Sequence, residues 1–161
     1  MEEDQNTKSN QYVFNYDWET VVRAFWNKYP HKDLDFVVYN RVIDIKRLED
    51  DSIVVKKLMF CKKFKLIWAY TMEEMKIDFD QKILDLKTKV LAASKCLPTE
   101  GVERICYQAL HNEQGKTLYT KFLESKSTLQ KYYGKLNSGF EKGCKIVEEK
   151  CNEVLNKAQT N

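Results

Sequence analysis

The fold is decided near the C-terminus by residues 127–158, which read STLQKYYGKLNSGFEKGCKIVEEKCNEVLNKA. Apolar side chains recur there every three or four positions, at Leu129, Tyr133, Leu136, Phe140, Cys144, Val147, Cys151, Val154 and Leu155. Because this spacing places them on one face of an α-helix, the stretch predicts a helix of roughly 45 Å that begins at a capping box. The internal Gly134, Gly139 and Gly143 indicate a close approach, a bend, or a helix that tolerates them.

A shorter helix is predicted near the N-terminus, behind a strand. Tyr12–Tyr16 alternates partly between apolar and polar residues, which is typical of a short strand. Asp17 can then accept the free backbone N–H groups of a helix start, and an apolar stripe runs from Trp18 to Tyr29. Pro30 would end this helix. Residues 1–11 are polar, and we expect them to be flexible.

The segment between the two helices predicts six further strands in three hairpins. Their ranges are 36–47 with 53–60, 68–77 with 82–92, and 102–110 with 117–124, each pair joined by a polar turn. The middle pair also has helical propensity, but the regular spacing of the turns favours strands. The sequence therefore predicts an α+β fold: a curved antiparallel sheet of about seven strands wraps a long C-terminal helix, with a short helix after the first strand.

Composition places the 161-residue chain among single-domain globular proteins, with 43% hydrophobic and 32% charged residues. Aromatic residues make up 12%, and a helix against a concave sheet can leave an apolar cavity suited to an acyl chain. The net charge of +3 is too small to indicate nucleic-acid binding. No apolar run is long enough for a transmembrane helix, and the acidic start resembles neither a secretory signal nor an Arg-rich transit peptide.

Cysteines and histidines provide no recognisable catalytic or metal-binding motif. The five cysteines lack zinc-site spacing, so we expect reduced, buried thiols. Cys144 and Cys151 would share a helix face about 10 Å apart along the axis, too far for a disulfide. His31 and His111 lie in predicted loops, and we expect no enzymatic activity, metal or cofactor. An enzymatic alternative, such as a small-molecule cyclase, would be tested at His111 and Asp44.

The stretch Tyr12–Pro30, YVFNYDWETVVRAFWNKYP, resembles the opening of PRELI-like (PRELI/slowmo) domains. Those domains begin with a short strand, a helix carrying W..V..A.W.KYP, and a strand hairpin. More diffuse similarity follows in the same order, at Val42–Leu58, Glu73–Asp78 and Val102–Tyr107, and in the C-terminal helix. The resemblance covers about residues 12–155 and implies one PRELI-like domain over residues 12–158.

The resemblance implies a phospholipid-transfer protein. PRELI-like proteins carry phospholipids, chiefly phosphatidic acid or phosphatidylserine, across the mitochondrial intermembrane space with a small helical partner that has twin Cys-x9-Cys motifs. For this chain it implies an anionic phospholipid ligand such as phosphatidic acid, transient contact with a membrane surface, and that type of partner protein. It also implies the intermembrane space as the compartment, with the cytoplasm as the alternative.

The resemblance further implies which residues hold the lipid, because the family binds the headgroup with basic residues and the tails between sheet and long helix. Lys28 matches the basic residue before the family's YP pair. The full set of headgroup candidates is Lys28, Lys62, Lys63, Lys65, Asn137 and Lys142, with Lys135 as an alternative to Lys142. The candidates for lining the lipid cavity are Phe25, Tyr133, Leu136, Phe140 and Val147.

The sequence departs from the family where a lid is expected. The family has an LP.W segment and a lid helix between its third and fourth strands, whereas only Cys61–Trp68 fills that space here. The shortened lid leaves a second function open, a PRELI-like scaffold that binds proteins and does not transfer lipid. A scaffold of this kind would have an interior filled with side chains.

Overall fold

The computed structural model describes residues 6–63, 67–95, 102–125 and 133–160. Within these ranges the strands are β1 (Asn6–Phe14), β2 (Val37–Arg47), β3 (Ile53–Lys63), β4 (Ile67–Asp78), β5 (Ile83–Ala93), β6 (Val102–Ala109) and β7 (Thr117–Ser125). The helices are α1 (Trp18–Trp26) and α2 (Tyr133–Gln159), with a short 3-10 turn at Lys32–Leu34. The seven strands form one antiparallel sheet in the order β1-β7-β6-β5-β4-β3-β2, so β1 and β2 are its edges.

The predicted fold class is confirmed, with a curved antiparallel sheet, a long C-terminal helix and a short helix after the first strand. The three hairpins are also confirmed, including β4 and β5, whose sequences favour helix as well as strand. The predicted capping box at 127–130 and the connector at 97–101 lie outside the described residues.

Two predicted boundaries were wrong. The first strand begins at Asn6 and not at Tyr12, because residues 6–11, which we expected to be flexible, pair in register with β7. The first helix ends at Trp26, well before Pro30. Asn27 caps it by donating its backbone N–H and its side-chain amide to the Arg23 carbonyl. The residues between Trp26 and Pro30 therefore leave the helix and are free to enter the interior.

Helix α1 is held by its cap and by its buried face. The Asp17 carboxylate accepts a hydrogen bond from the Thr20 backbone N–H at 2.8 Å, as the sequence predicts. Trp18, Val21 and Phe25 are buried, and the helix packs against both α2 and β6. The indole N–H of Trp18 donates to the Tyr107 carbonyl at 3.0 Å, which fixes the start of the helix on β6.

Helix α2 packs through the apolar stripe that the sequence predicts. Phe140, Cys144, Val147 and Cys151 are buried, and Ile146 is buried beside them. A Cβ added at Gly139 or Gly143 would meet no atom within 4 Å. These two glycines therefore serve no close approach, and the helix simply tolerates them.

An aromatic ladder joins both helices to the sheet. The ring centroids of Phe25 and Tyr107 are 5.3 Å apart, those of Tyr107 and Tyr119 4.7 Å, and those of Tyr119 and Phe140 5.2 Å. The hydroxyl of Tyr12 donates to Glu148, and that of Tyr16 donates to Asn152, so β1 and the following loop are also tied to α2. These contacts join α1, β1, β6, β7 and α2 around one buried cluster.

The edge strand β2 is irregular and carries exposed apolar side chains. Its register with β3 shifts between Val37 and Tyr39 and again between Val42 and Asp44. Ile43 and Ile45 are 49% and 61% exposed. Among the described residues, no helix is both long and apolar enough to cross a membrane.

Candidate ligand site

A row of polar side chains crosses the inner face of the sheet. The strand register places Lys57 of β3 opposite Glu73 of β4, Glu73 opposite Thr88 of β5, and Thr88 opposite Glu103 of β6. Side chains two positions away on the same strands point to the same face. Those neighbours are core residues, namely Val55, Met75, Leu86 and Ile105. The polar row therefore faces the helices and not the solvent.

Two further lysines join this row. Lys121 of β7 forms an ion pair with Glu103 at 3.1 Å. Lys28, in the segment after α1, interacts electrostatically with both Glu73 and Glu103. We name Lys28, Lys57, Glu73, Glu103 and Lys121 the interior charge cluster. Three lysines meet two glutamates in it, so it has an excess of positive charge when all five are ionised.

Lys57 and Glu73 are the buried members of the cluster, whereas Lys28, Glu103 and Lys121 are half-buried. Burial lowers the pKa of both Lys28 and Lys57, and Glu73 only partly opposes this effect. Burial also raises the pKa of Glu73, against the attraction of Lys57 and Lys28. Lys57 is 6% exposed, and its Nζ lies 3.9 Å from the centre of the Trp26 ring. The cluster would gain stability from any ligand that brings negative charge to these lysines.

An unsatisfied acceptor lies beside the cluster. Asn40 of β2 is opposite Met59, on the inner face and two positions from the partner of Lys57. Among the described residues, its Oδ1 is the one buried side-chain nitrogen or oxygen that has no hydrogen-bond partner. Leaving such a group unpaired costs about 1–3 kcal/mol. The site therefore offers an acceptor to a ligand hydroxyl or N–H group.

Apolar side chains flank the polar row on both sides. The core row of Val55, Met75, Leu86 and Ile105 lies toward the aromatic ladder. On the other side, Met59 is 5% exposed and Val90 is half-buried. A ligand whose charged group lies at the row would therefore find apolar surface next to it.

Lys28 is the predicted headgroup residue that lies in the interior charge cluster. Lys62 at the end of β3 and Lys142 on α2 are exposed. Lys65 and the side chains of Lys63 and Asn137 lie outside the described part of the chain. Phe25, Phe140 and Val147 are buried in the hydrophobic core, and their role in lining a lipid cavity stays a prediction. The side chains of Tyr133 and Leu136 are not described.

Lys57, Glu73, Glu103 and Lys121 were not predicted from the sequence as site residues. A signal was present in the alternation of the strands. Lys57 stands between the inward positions Val55 and Met59, and Glu73 precedes the inward Met75. A charged residue in the inward register of a strand indicates a polar interior.

The connection between β3 and β4 is as short as the sequence predicts. Lys63 at the end of β3 pairs with Ile67 at the start of β4, so residues 64–66 alone join the two strands. This connection leaves no room for a lid helix.

Comparison with solved structures identifies the fold. No family model matches the sequence. Ara h 8.0201 superposes with a TM-score of 0.60 at 11% identity, covering 94% of this chain and 98% of that chain. Human STARD10 superposes with a TM-score of 0.54 at 16% identity, covering 100% of this chain and 69% of that chain. The ZhuI aromatase/cyclase from Streptomyces sp. R1128 superposes with a TM-score of 0.50 at 6% identity, covering 75% of this chain and 67% of that chain.

These identities are too low to transfer a function, and the resemblance to PRELI-like domains stays a prediction. What the similarities establish is the arrangement of the sheet and helices around the interior. The chain has a Bet v1/START-like fold.

Proposed function

We propose that this protein binds a phospholipid between its sheet and α2, with the anionic headgroup held by the interior charge cluster. The observation that carries the proposal is that three lysines and two glutamates meet on the inner face of the sheet, where Lys57 is almost fully buried. A phosphate could accept charge-assisted hydrogen bonds from Lys28 and Lys57. The Bet v1/START-like fold is one that binds hydrophobic ligands and lipids, which supports the same ligand class.

The acyl chains of a phospholipid need apolar surroundings away from water. Each methylene group moved from water into apolar surroundings gains about 0.8 kcal/mol. The apolar residues on both sides of the polar row, such as Met59 and Leu86, would contact the acyl chains next to the headgroup. The unpaired Oδ1 of Asn40 would accept a hydrogen bond from a headgroup hydroxyl.

The finer proposal is transfer of phosphatidic acid or another anionic phospholipid between mitochondrial membranes. It rests on the resemblance of Tyr12–Pro30 to PRELI-like domains. It includes transient contact with the membrane surface, a small helical partner with twin Cys-x9-Cys motifs, and the intermembrane space as the compartment, with the cytoplasm as the alternative. The proposed role is carriage and not catalysis.

The test begins with native mass spectrometry of the purified protein, scored for a bound phospholipid and its headgroup. Transfer is then measured between donor liposomes containing phosphatidic acid and acceptor liposomes without it, with and without the partner. A protein that neither binds nor moves any phospholipid in either condition would refute the proposal.

Lysine variants test the site directly. Lys28→Met and Lys57→Met should each weaken binding of an anionic phospholipid about tenfold or more, because hydrogen bonds to charged groups contribute about 1.5–3 kcal/mol. Lys82→Met is the matched control, since Lys82 is exposed and pairs with Glu19 at 3.7 Å. Equal affinity in the cluster variants and the control would exclude the cluster as the headgroup site.

A protein-binding scaffold is the second candidate, and one surface feature favours it. An open apolar pocket of about 330 Å³ lies between α1 and the β2–β4 strands, lined in part by Val22, Trp26, Ile45 and Ile53. A scaffold would purify without lipid, and Ile45→Asp would weaken its binding to the partner protein while Lys28→Met would not.

The similarity to ZhuI raises an enzymatic alternative, which the two residues named for it do not favour. His111 is exposed in the turn between β6 and β7. Asp44 is engaged with Lys46 at 3.6 Å on the edge strand. Neither belongs to the interior charge cluster. Cyclase activity that is lost in His111→Ala or Asp44→Ala would overturn the non-enzymatic proposal.

A further inference from the structure

A buried glutamate lies among the lysines proposed to hold the ligand's anionic group. Glu73 is 9% exposed and stands opposite Lys57 in the β3–β4 ladder. It interacts electrostatically with Lys57 and with Lys28. Its carboxylate has the same sign of charge as a lipid phosphate and attracts the same two ammonium groups. Ligand and glutamate would therefore compete for them.

Of the ionisable groups around Glu73, no other carboxylate interacts with both Lys57 and Lys28 in the described part of the chain. The groups that face it are Lys57 and Cys61 from β3, Lys28 and Tyr29 from the segment after α1, and Glu103 from β6. Lys121 of β7 is already paired with Glu103 at 3.1 Å. Within the described part of the chain, Glu73 is thus the carboxylate that balances both Lys57 and Lys28.

We propose that Glu73 is the counter-ion of the empty site and is displaced when the ligand binds, taking up one proton from solvent. Before binding, Lys28 and Lys57 face the carboxylate of Glu73. After binding, they face the ligand's anion, and Glu73 is a neutral carboxylic acid. The net charge of the site is thereby unchanged, because one ligand anion and one proton enter together. This inference rests on the proposed function, which assigns the two lysines to the headgroup.

The physical reason is that two anions cannot share a desolvated site without a large electrostatic cost. A second negative charge near a buried carboxylate favours its protonated form. Burial and the neighbouring Glu103 already raise the pKa of Glu73, so the ligand needs to add only a further shift. Affinity for an anionic ligand should therefore increase as the pH falls, by at most about tenfold per pH unit for one linked proton.

The experiment measures proton uptake during binding. The probe is dihexanoylphosphatidylglycerol below its micellar concentration, because its phosphodiester does not itself titrate near neutral pH. Isothermal titration calorimetry is run near pH 7 in Bis-Tris and in imidazole, whose ionisation heats differ and which bring no competing phosphate, so that the difference in heat gives the protons bound. We expect the wild-type protein to take up a substantial fraction of one proton, and its affinity to rise toward lower pH.

Two variants assign the proton. Glu73→Gln should abolish the uptake, bind the probe more tightly than wild type at pH 7, and lose the pH dependence. Glu74→Gln is the matched control, because the adjacent Glu74 is exposed and pairs with Lys56 at 3.4 Å. The control should keep the wild-type uptake and affinity.

The outcomes separate this inference from the proposed function. Binding by wild type with no proton uptake would overturn the inference alone, and so would equal uptake in Glu73→Gln or weaker binding by that variant. No binding by the wild-type protein to this probe or to any phospholipid vesicle would overturn the proposed function together with the inference. The wild-type uptake needs no substitution, so it stands even if Glu73→Gln fails to fold.

Discussion

Tyr12 is the side chain that ties the first edge strand to the long helix. Its hydroxyl donates to the carboxylate of Glu148. That hydrogen bond, together with burial and the negative charge of Glu148, raises the pKa of Tyr12 to about 12. The ionised phenol would lose the bond and repel Glu148. The link therefore holds while Tyr12 is neutral.

Replacing this tyrosine should cost stability in a pH-dependent way. Tyr12→Phe should lower the free energy of unfolding by about 1 kcal/mol at pH 7. Because the pKa is higher in the folded state than in the unfolded state, this contribution is complete below about pH 10 and is lost as the pH rises through about 12. Urea unfolding at pH 7 and at high pH measures it. The exposed Tyr39 provides the control, and a Tyr39→Phe variant as unstable as Tyr12→Phe would contradict the account.

For some charged residues the residue type alone predicts the wrong burial. Lys57 and Glu73 occupy inward positions, yet a lysine or glutamate in isolation indicates solvent exposure. Alternation with Val55 and Met75 could have placed them inside. The approach of Lys28 to Glu73 has no local signal, because it depends on how the segment after α1 enters the interior.

At the scale of elements, the first helix depends on its cap. Asp17→Ala should lower the free energy of unfolding by about 1 kcal/mol, because the Thr20 N–H loses its acceptor. Asp17→Asn retains a side-chain oxygen at the cap position and should recover most of that loss. Urea denaturation of the three proteins at pH 7 makes the comparison. Equal destabilisation in both variants would show that the charge, and not the cap, is responsible.

The first strand shows why element boundaries were only partly predictable. Residues 6–11 are polar, and such a segment has no hydrophobic pattern to indicate a strand. Its backbone nevertheless pairs with β7 from Asn6↔Ser125 through Phe14↔Thr117. Backbone hydrogen bonds at a sheet edge do not require apolar side chains, so tertiary pairing extends the strand beyond its sequence signal. The strongly periodic C-terminal helix, by contrast, was predicted from its stripe.

At the scale of the whole molecule, the interior has two ends of different character. The aromatic ladder from Phe25 to Phe140 lies toward one end, and the polar row around Lys57 and Glu73 is separated from it by the apolar row that contains Val55. Fold class, strand order within the hairpins and the buried face of α2 followed from sequence periodicity. The polar layer did not, because it brings together residues from separate strands and the end of α1.

The accessibility of the two cysteines of α2 shows whether this helix stays packed against the rest of the core. Burial raises the pKa of Cys144 and of Cys151 to about 12, and the thiolate is the reactive form. Iodoacetamide at pH 8 should therefore leave both unmodified in native buffer, and should label both in urea, as measured by peptide mass spectrometry. Labelling in native buffer at the rate of the unfolded chain would show that α2 opens from the sheet.

The irregular second strand has a consequence for how the protein behaves when concentrated. A long, flat edge with exposed Val38, Ile43 and Ile45 would be a template for fibrillar growth, each molecule adding a strand to the next. The two register shifts in β2 increase its local twist and interrupt the regular sequence of backbone groups that a new strand would need. The bulges therefore disfavour the addition of another strand at this apolar edge.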